Sequence, residues 1–158
     1  NENYKTCMFV VNKWDIQAKQ MPTERWVTYL RETFQTMWHV PIAFITGQSG
    51  RNIKMMLNHS QMLYKQSHER VSTGELNRLV QRALETHPPP LTRRHKRPKV
   101  FYATQIATQP PTIVMKCNNP SAFSPDYRRY LLSVLRDHLR FGEIPIKLFM
   151  QKREQNER

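Results

Sequence analysis

Glycine is scarce: Gly47, Gly50, Gly74 and Gly142 are the only four in 158 residues. None stands in a Gly-x-x-x-x-Gly-Lys-Ser/Thr loop or an Asp-x-x-Gly motif, so the sequence offers neither a phosphate cradle nor a magnesium and switch motif. With positioning and metal electrostatics lacking, it carries no visible machinery for phosphoryl transfer, and no catalytic residue is assigned. Cysteine is scarcer still. Cys7 and Cys117 lie far apart in apolar stretches, which excludes a disulfide framework and a cysteine metal site and leaves two buried, reduced thiols of a cytosolic protein as the expectation. His87, His95 and His138 have neither a ligand partner nor a nucleophile at useful spacing, so no metal site is expected. No apolar run approaches the roughly 20 residues that cross a bilayer, and no charged-then-apolar N-terminus reads as a signal peptide. A soluble, unexported chain is expected. Acid is also in deficit: 12 Asp and Glu face 25 Lys and Arg, for a net charge of +13. A polyanion, nucleic acid first, is the macromolecular partner this balance favours.

What is present suffices for a core. Hydrophobic residues make up 39% and aromatics 10%, too apolar for a disordered chain, and the length suits one ordinary domain or two small ones. Thr6 to Val11 is a continuous apolar run of β-formers, suited to a strand covered on both faces in a parallel α/β sheet. Pro22 then opens a segment with Trp26, Val27, Leu30, Phe34, Met37 and Trp38 at helical spacing. Val40 to Ile45 reads as a second buried strand, Thr46 to Gly50 as a turn, and Ile53, Met56, Leu57, Leu63 and Tyr64 as a second helix. Residues 1–70 thus read β-α-β-α. From 71, Ser72 and Glu75 form a capping box ahead of Leu76, Leu79, Val80, Ala83 and Leu84, and His87-Pro88-Pro89-Pro90 stops that helix. Strands are expected at Val100 to Ala107 and Thr112 to Cys117, a helix from Pro125 to Leu139, and a last strand at Ile144 to Met150 before a frayed polar tail from Gln151. Residues 71–158 read α-β-β-α-β. The charge is uneven. Residues 1–70 hold 9 basic and 5 acidic residues (+4), and 71–158 hold 16 and 7 (+9).

The tetrapeptide Asn12-Lys13-Trp14-Asp15 follows the first strand directly, and so stands at its C-terminal end, where α/β sheets bind ligands. An aspartate there can accept hydrogen bonds from the N1–H and exocyclic amine of guanine, while the lysine stem covers the base and the asparagine braces the loop. Adenine lacks that donor pair and would leave the carboxylate unpaired. Ile45-Thr46-Gly47 ends the next strand and can offer backbone N–H groups to the guanine oxygen. The candidate guanine site is therefore Asn12, Lys13, Asp15, Thr46 and Gly47. The basic connector Arg93, Arg94, Lys96, Arg97 and Lys99 is the candidate RNA-binding segment, with Arg128, Arg129 and Arg136 as further contacts. Gly47-Gln48-Ser49-Gly50 has the spelling of an RNA-clamping Gly-x-x-Gly loop but lies in the wrong unit. Tyr102, Tyr127, Tyr130, Phe101, Phe123 and Phe141 are expected in the core.

Taken in order, Val10-Val11-Asn12-Lys13-Trp14-Asp15, Ser72-Thr73-Gly74-Glu75-Leu76-Asn77, His87-Pro88-Pro89-Pro90, Tyr102-Ala103-Thr104-Gln105, Pro110-Pro111-Thr112 and Phe141-Gly142-Glu143-Ile144-Pro145-Ile146 make the whole chain resemble the C-terminal part of the Der/EngA family of tandem-GTPase-domain ribosome assembly factors. The resemblance implies that residues 1–70 are the distal part of a second GTPase domain, with a partial P-loop-GTPase-type parallel sheet, and that 71–158 form a KH-like domain. It implies GTP or GDP with magnesium in the parent and none held by this fragment. The implied partners are precursor large-subunit rRNA and the N-terminal GTPase domains of the same protein, in the bacterial cytoplasm or an organellar matrix, with no membrane. Gly47 stands where the family has alanine, a change that a backbone N–H contact tolerates. A second reading stays open: a free-standing basic KH-like RNA- or ribosome-binding module with no nucleotide role.

Overall fold

The computed structural model describes residues 3–91 and 97–154. Its elements run β1 (Phe9–Val11), α1 (Trp14–Gln17), α2 (Thr23–Thr33), β2 (Ile42–Phe44), α3 (Ile53–His68), α4 (Thr73–Thr86), β3 (Val100–Ala107), β4 (Thr112–Cys117), α5 (Pro125–His138) and β5 (Lys147–Lys152). The fold is mixed α/β, with two sheets. β1 and β2 are parallel, in the register Phe9↔Ile42, Val10↔Ala43 and Val11↔Phe44. β3, β4 and β5 form a mixed sheet in that order, β3–β4 antiparallel and β4–β5 parallel.

The second sheet carries the core. Leu76, Val80 and Ala83 of α4 and Leu131 and Leu135 of α5 pack with Ala103, Ile113, Met115 and Cys117, and Phe123, Phe141, Ile144 and Ile146 close the ends. Burial of each such large side chain contributes about 1.5–3 kcal/mol before conformational entropy is set against it. Leu63 of α3 joins the same cluster, with Met8 and Val71 packed against it, so the core extends under both halves of the chain. The two helices that cover the second sheet, α4 and α5, are capped by serines: Ser72 Oγ accepts from the Glu75 N–H and Ser124 Oγ from the Tyr127 N–H, each at 3.2 Å.

Two side chains tie the helices to the edge strand β3. Asn77 of α4 is bidentate on Ala103: its Oδ1 accepts from the Ala103 N–H at 2.8 Å and its Nδ2 donates to the Ala103 carbonyl at 2.9 Å. Gln105, buried in β3, accepts from the Val71 N–H at 2.8 Å and donates to the Glu69 carbonyl at 3.0 Å, and so holds the α3–α4 joint. Gln105→Leu keeps the volume but strands both backbone groups. An expected loss of about 2–4 kcal/mol, read from urea unfolding, follows from the cost of unsatisfied buried polar groups.

Several sequence expectations are corrected. β1 and β2 are three residues each, rather than six, because they pair only with one another. Val10 is 46% exposed, so β1 is not covered on both faces. Ten of the thirteen exposed large apolar side chains among the described residues lie before residue 70, including Met55, Leu57 and Tyr64 of α3. β5 starts at Lys147, because Ile144 and Ile146 turn into the core and the Ile144 carbonyl is held by Arg136 Nη1 at 2.8 Å. It runs through Lys152, where fraying was expected, because its pairing with β4 continues to Cys117. Cys117 is buried, but Cys7 is only half-buried; both are free, and burial pushes both thiols up.

The turn before β2 meets α5 through Trp38, whose ring lies 5.5 Å from the Arg136 guanidinium. Beside it, burial, reinforced by the positive charges of Arg136 and Arg31, pushes the His39 imidazole down to about 4. The unfolded chain therefore binds a proton that the folded state refuses. His39 contributes stability above about pH 6.5, and this is lost as pH falls towards 4. In His39→Gln, the melting temperature is expected to fall less steeply between those two pH values than in the parent chain.

Candidate functional site

Parallel pairing of β1 and β2 sets their C-terminal ends side by side, and the two loops that leave them are bonded to each other. Asn12 Oδ1 accepts from the Gly47 N–H at 3.0 Å and from the Lys13 N–H at 2.7 Å. The Asp15 N–H donates to Thr46 Oγ1 at 3.3 Å, and the Trp14 N–H donates to the Ile45 carbonyl at 3.0 Å. Trp14 is buried against Phe44, ring centroids 4.3 Å apart. Of the tetrapeptide, the tryptophan is thus an anchor, and Asn12, Lys13 and Asp15 remain exposed. Lys13 takes a left-handed backbone, φ 58°, a conformation uncommon outside glycine and asparagine. The bonds flanking it, from Asn12 Oδ1 and Ile45, hold it there. The Asp15 carboxylate has no hydrogen bond or ion pair among the described residues.

The second loop is a tight return. Thr46, 4% exposed, bridges to Arg51, and Gly50 makes the turn at φ +76°, a conformation that favours glycine. Asn52 closes it: at φ 63° it donates through Nδ2 to the Phe44 carbonyl at 2.9 Å. Sequence reasoning missed Asn52; its only signal was an asparagine ahead of a helix, a residue type that tolerates a left-handed backbone. An added Cβ at Gly47 would meet Asn12 at 3.5 Å, an ordinary contact. The five predicted residues therefore come together, Asn12 and Lys13 on the loop after β1, Asp15 in the first turn of α1, and Thr46 and Gly47 on the loop after β2, and four of them are hydrogen-bonded in pairs, Asn12 with Gly47 and Asp15 with Thr46.

The basic residues divide. Arg93, Arg94, His95 and Lys96 lie outside the described residues. Arg97 and Lys99 are exposed. Arg128 and Arg136 are corrections to the sequence reading, for both are structural. Arg128 donates to the Phe123 and Pro120 carbonyls at 3.0 and 2.8 Å. Arg136 is buried, donates to Ile144 and has its ionisation lowered by desolvation. Arg129 pairs with Asp126 on the surface. Among the core aromatics, Phe123, Phe141 and Tyr127 are buried, and Phe101, Tyr102 and Tyr130 are half-buried. Tyr127 donates to the His87 carbonyl at 2.6 Å, and burial pushes its hydroxyl up to about 12. His87 also packs edge-on against Tyr130, and the His138 ring bonds the Val134 carbonyl at 3.0 Å.

An α-β-β-α-β unit with a mixed three-stranded sheet, joined to a parallel strand pair with two bonded loops at its C-terminal end, defines a KH-like protein of mixed α/β class. The chain belongs to the family of KH-domain-like C-terminal domains of EngA bacterial GTPase enzymes, whose profile matches residues 70–151. Along nearly its full length it is similar to proteins named GTPase Der. It is 58% identical over 156 residues to that of Rhodopirellula baltica, covering 99% of this chain and 34% of the relative. With the Geobacter metallireducens protein it shares 36% over 154 residues (97% and 35%), and with that of Acaryochloris marina 34% over 145 residues (91% and 32%). The chain spans about a third of the length of the curated relatives it matches.

Proposed function

We propose that this chain is the guanine-reading and docking end of a Der-type GTPase that acts in assembly of the large ribosomal subunit. Residues 1–70 are the distal part of the second GTPase domain, and 71–158 the KH-like domain that docks on the GTPase domains and on rRNA. The single observation that carries the reading is the pair of bonded loops: Asn12 and Asp15 are fixed against Gly47 and Thr46, and the Asp15 carboxylate is left exposed and, among the described residues, without a partner. Those residues fit the base end of GTP or GDP. Asp15 accepts from guanine N1–H and the exocyclic amine, and Lys13 covers the ring; the Thr46 and Gly47 N–H groups expected to meet the guanine oxygen instead donate to the Arg51 carbonyl and Asn12 Oδ1, at 3.1 and 3.0 Å, and brace the loops. The phosphates and magnesium, which supply the electrostatics of hydrolysis when bound, are held by the upstream part of the parent.

Supporting the rRNA arm are the charge of +13 and the exposed Arg97 and Lys99 at the end of the connector. The test of the nucleotide arm is calorimetric titration of GDP into a chain extended upstream through a phosphate loop. Binding is expected, with Asp15→Ala weakening it strongly; an unchanged guanine preference in that variant contradicts the reading. For the rRNA arm, neutralising Arg93, Arg94, Lys96 and Arg97 together is expected to lower affinity and to flatten its dependence on salt by about three units on a log–log plot.

A further inference from the structure

The sheet topology gathers cations that lie far apart in sequence. β3 is antiparallel to β4, and β5 is parallel to it, so the start of β3 and the ends of β4 and β5 share one edge of the sheet. Val100 pairs with Cys117, and Cys117 with Lys152. Lys99 stands just before β3, Lys116 next to the end of β4, and Lys152 and Arg153 at the end of β5. The backbone locks this edge: the Lys99 N–H donates to Asn118 Oδ1 at 2.9 Å, the Asn118 N–H to the Lys99 carbonyl at 3.0 Å, and the Arg153 N–H to the Cys117 carbonyl at 3.0 Å.

An aromatic ring sits between two of these charges. The β3–β4 register slips between Val100 and Tyr102, leaving Phe101 as the extra residue of a bulge, a device that re-aims a side chain. Lys99 Nζ lies 5.8 Å and the Arg153 guanidinium 5.2 Å from the centre of the Phe101 ring, within cation–π range. Two like charges are thus held over one ring. Glu154 follows Arg153, and Glu85 lines the adjoining groove with Arg97 and Lys99.

We propose that this end of the sheet, with Lys99, Lys116 and Arg153 around Phe101 on the face away from the core, is a binding surface for a short run of phosphates of single-stranded RNA. It rests on the RNA reading above and names the residues that carry it, of which only Lys99 belongs to the connector. Three strand ends span about 10 Å, enough for cations at this end to meet neighbouring phosphates of one strand. Phe101 is a positioning residue for the two cations it carries and a flat face against which a base can stack. A sequence reading could not assemble this set, because strand pairing alone joins residue 99 to residue 153.

The test is the affinity of the 158-residue chain for a fluorescein-labelled single-stranded oligoribonucleotide of mixed sequence, measured by anisotropy across a salt series. Two variants remove the same charge: Lys99→Gln with Arg153→Gln at the sheet edge, and Arg78→Gln with Arg82→Gln on α4. Lys99, Arg78 and Arg82 are exposed and Arg153 is half-buried at the end of β5, and circular dichroism checks that folding is retained in both. The sheet-edge pair is expected to weaken binding about tenfold and to reduce the log–log salt slope by about 1 to 2, with the α4 pair within about twofold of the parent. Phe101→Leu is expected to weaken binding while leaving the slope unchanged, since its charges remain. Equal effects of the two pairs would show that net charge alone attracts RNA and would overturn the assignment. Parent binding that ignores the sheet-edge pair overturns it too, but leaves the RNA reading standing. A parent chain that binds no RNA at low salt overturns both.

Discussion

Asp15→Asn, in a chain extended upstream through its phosphate loop, is expected to lose guanine nucleotides and gain xanthine nucleotides. The carboxylate offers two acceptors to the two donors of the guanine edge. An asparagine amide offers one acceptor and one donor, which matches N1–H and the second carbonyl of xanthine. Each charge-assisted hydrogen bond contributes about 1.5–3 kcal/mol, and a stranded partner adds to the loss. GDP affinity should therefore fall by about 10² to 10⁴, with XDP binding more tightly than GDP in the variant. Competition against a fluorescent nucleotide reads both numbers. Because the Asp15 contact to Thr46 runs through the backbone N–H, the substitution leaves the loop pair intact, and a parallel loss of both nucleotides would signify a collapsed loop.

The second large effect is on stability. Phe141 is 0% exposed and packs among Ile144, Leu135 and Leu139 at the end of the KH-like core. Phe141→Ala removes a buried ring and leaves a cavity, for a loss of about 3–5 kcal/mol. That is a large part of the 5–15 kcal/mol typical of a whole domain, so much of the chain should be unfolded at moderate urea. Phe149→Ala in β5 is the control. At 48% exposed, it should cost about 1 kcal/mol or less, read from the same unfolding midpoints. Equal losses would mean that the packing of the second sheet is not what holds the chain together.

Much of the fold was legible because its signals are local. β3 and β4 span the residues at which strands are expected, Val100–Ala107 and Thr112–Cys117, and α4 and α5 start at the serines whose hydroxyls cap them. Tertiary pairing decided the rest. An apolar run such as Thr6 to Val11 becomes strand only where a neighbour supplies hydrogen bonds, and β2 supplies three residues of register. The polar Gln151 and Lys152 become strand because β4 continues beside them. Polar residues with structural work were the least readable. Asn77 and Gln105 lie in segments that carried the family resemblance, yet their bidentate grip on backbone 26 and 34 residues away has no local signature. Arg128 and Arg136 look like surface charge in sequence and are bonded to carbonyls in space. At the candidate site, position at a strand's end and side-chain chemistry pointed to Asn12, Lys13, Asp15, Thr46 and Gly47, since a motif there needs only the next strand to complete it; Asn52, which closes the turn, has its role only in space.

The most direct measurement is the ratio of affinities of the upstream-extended parent chain for GDP, inosine diphosphate and ADP. Inosine keeps N1–H and the ring oxygen but lacks the exocyclic amine, and adenine lacks the whole donor pair. The expected order is GDP tightest, inosine diphosphate weaker by about one hydrogen bond to a charged group, roughly 10- to 100-fold, and ADP weaker again by a further factor of at least about 100. Equal binding of the three would contradict a guanine-reading role for Asp15.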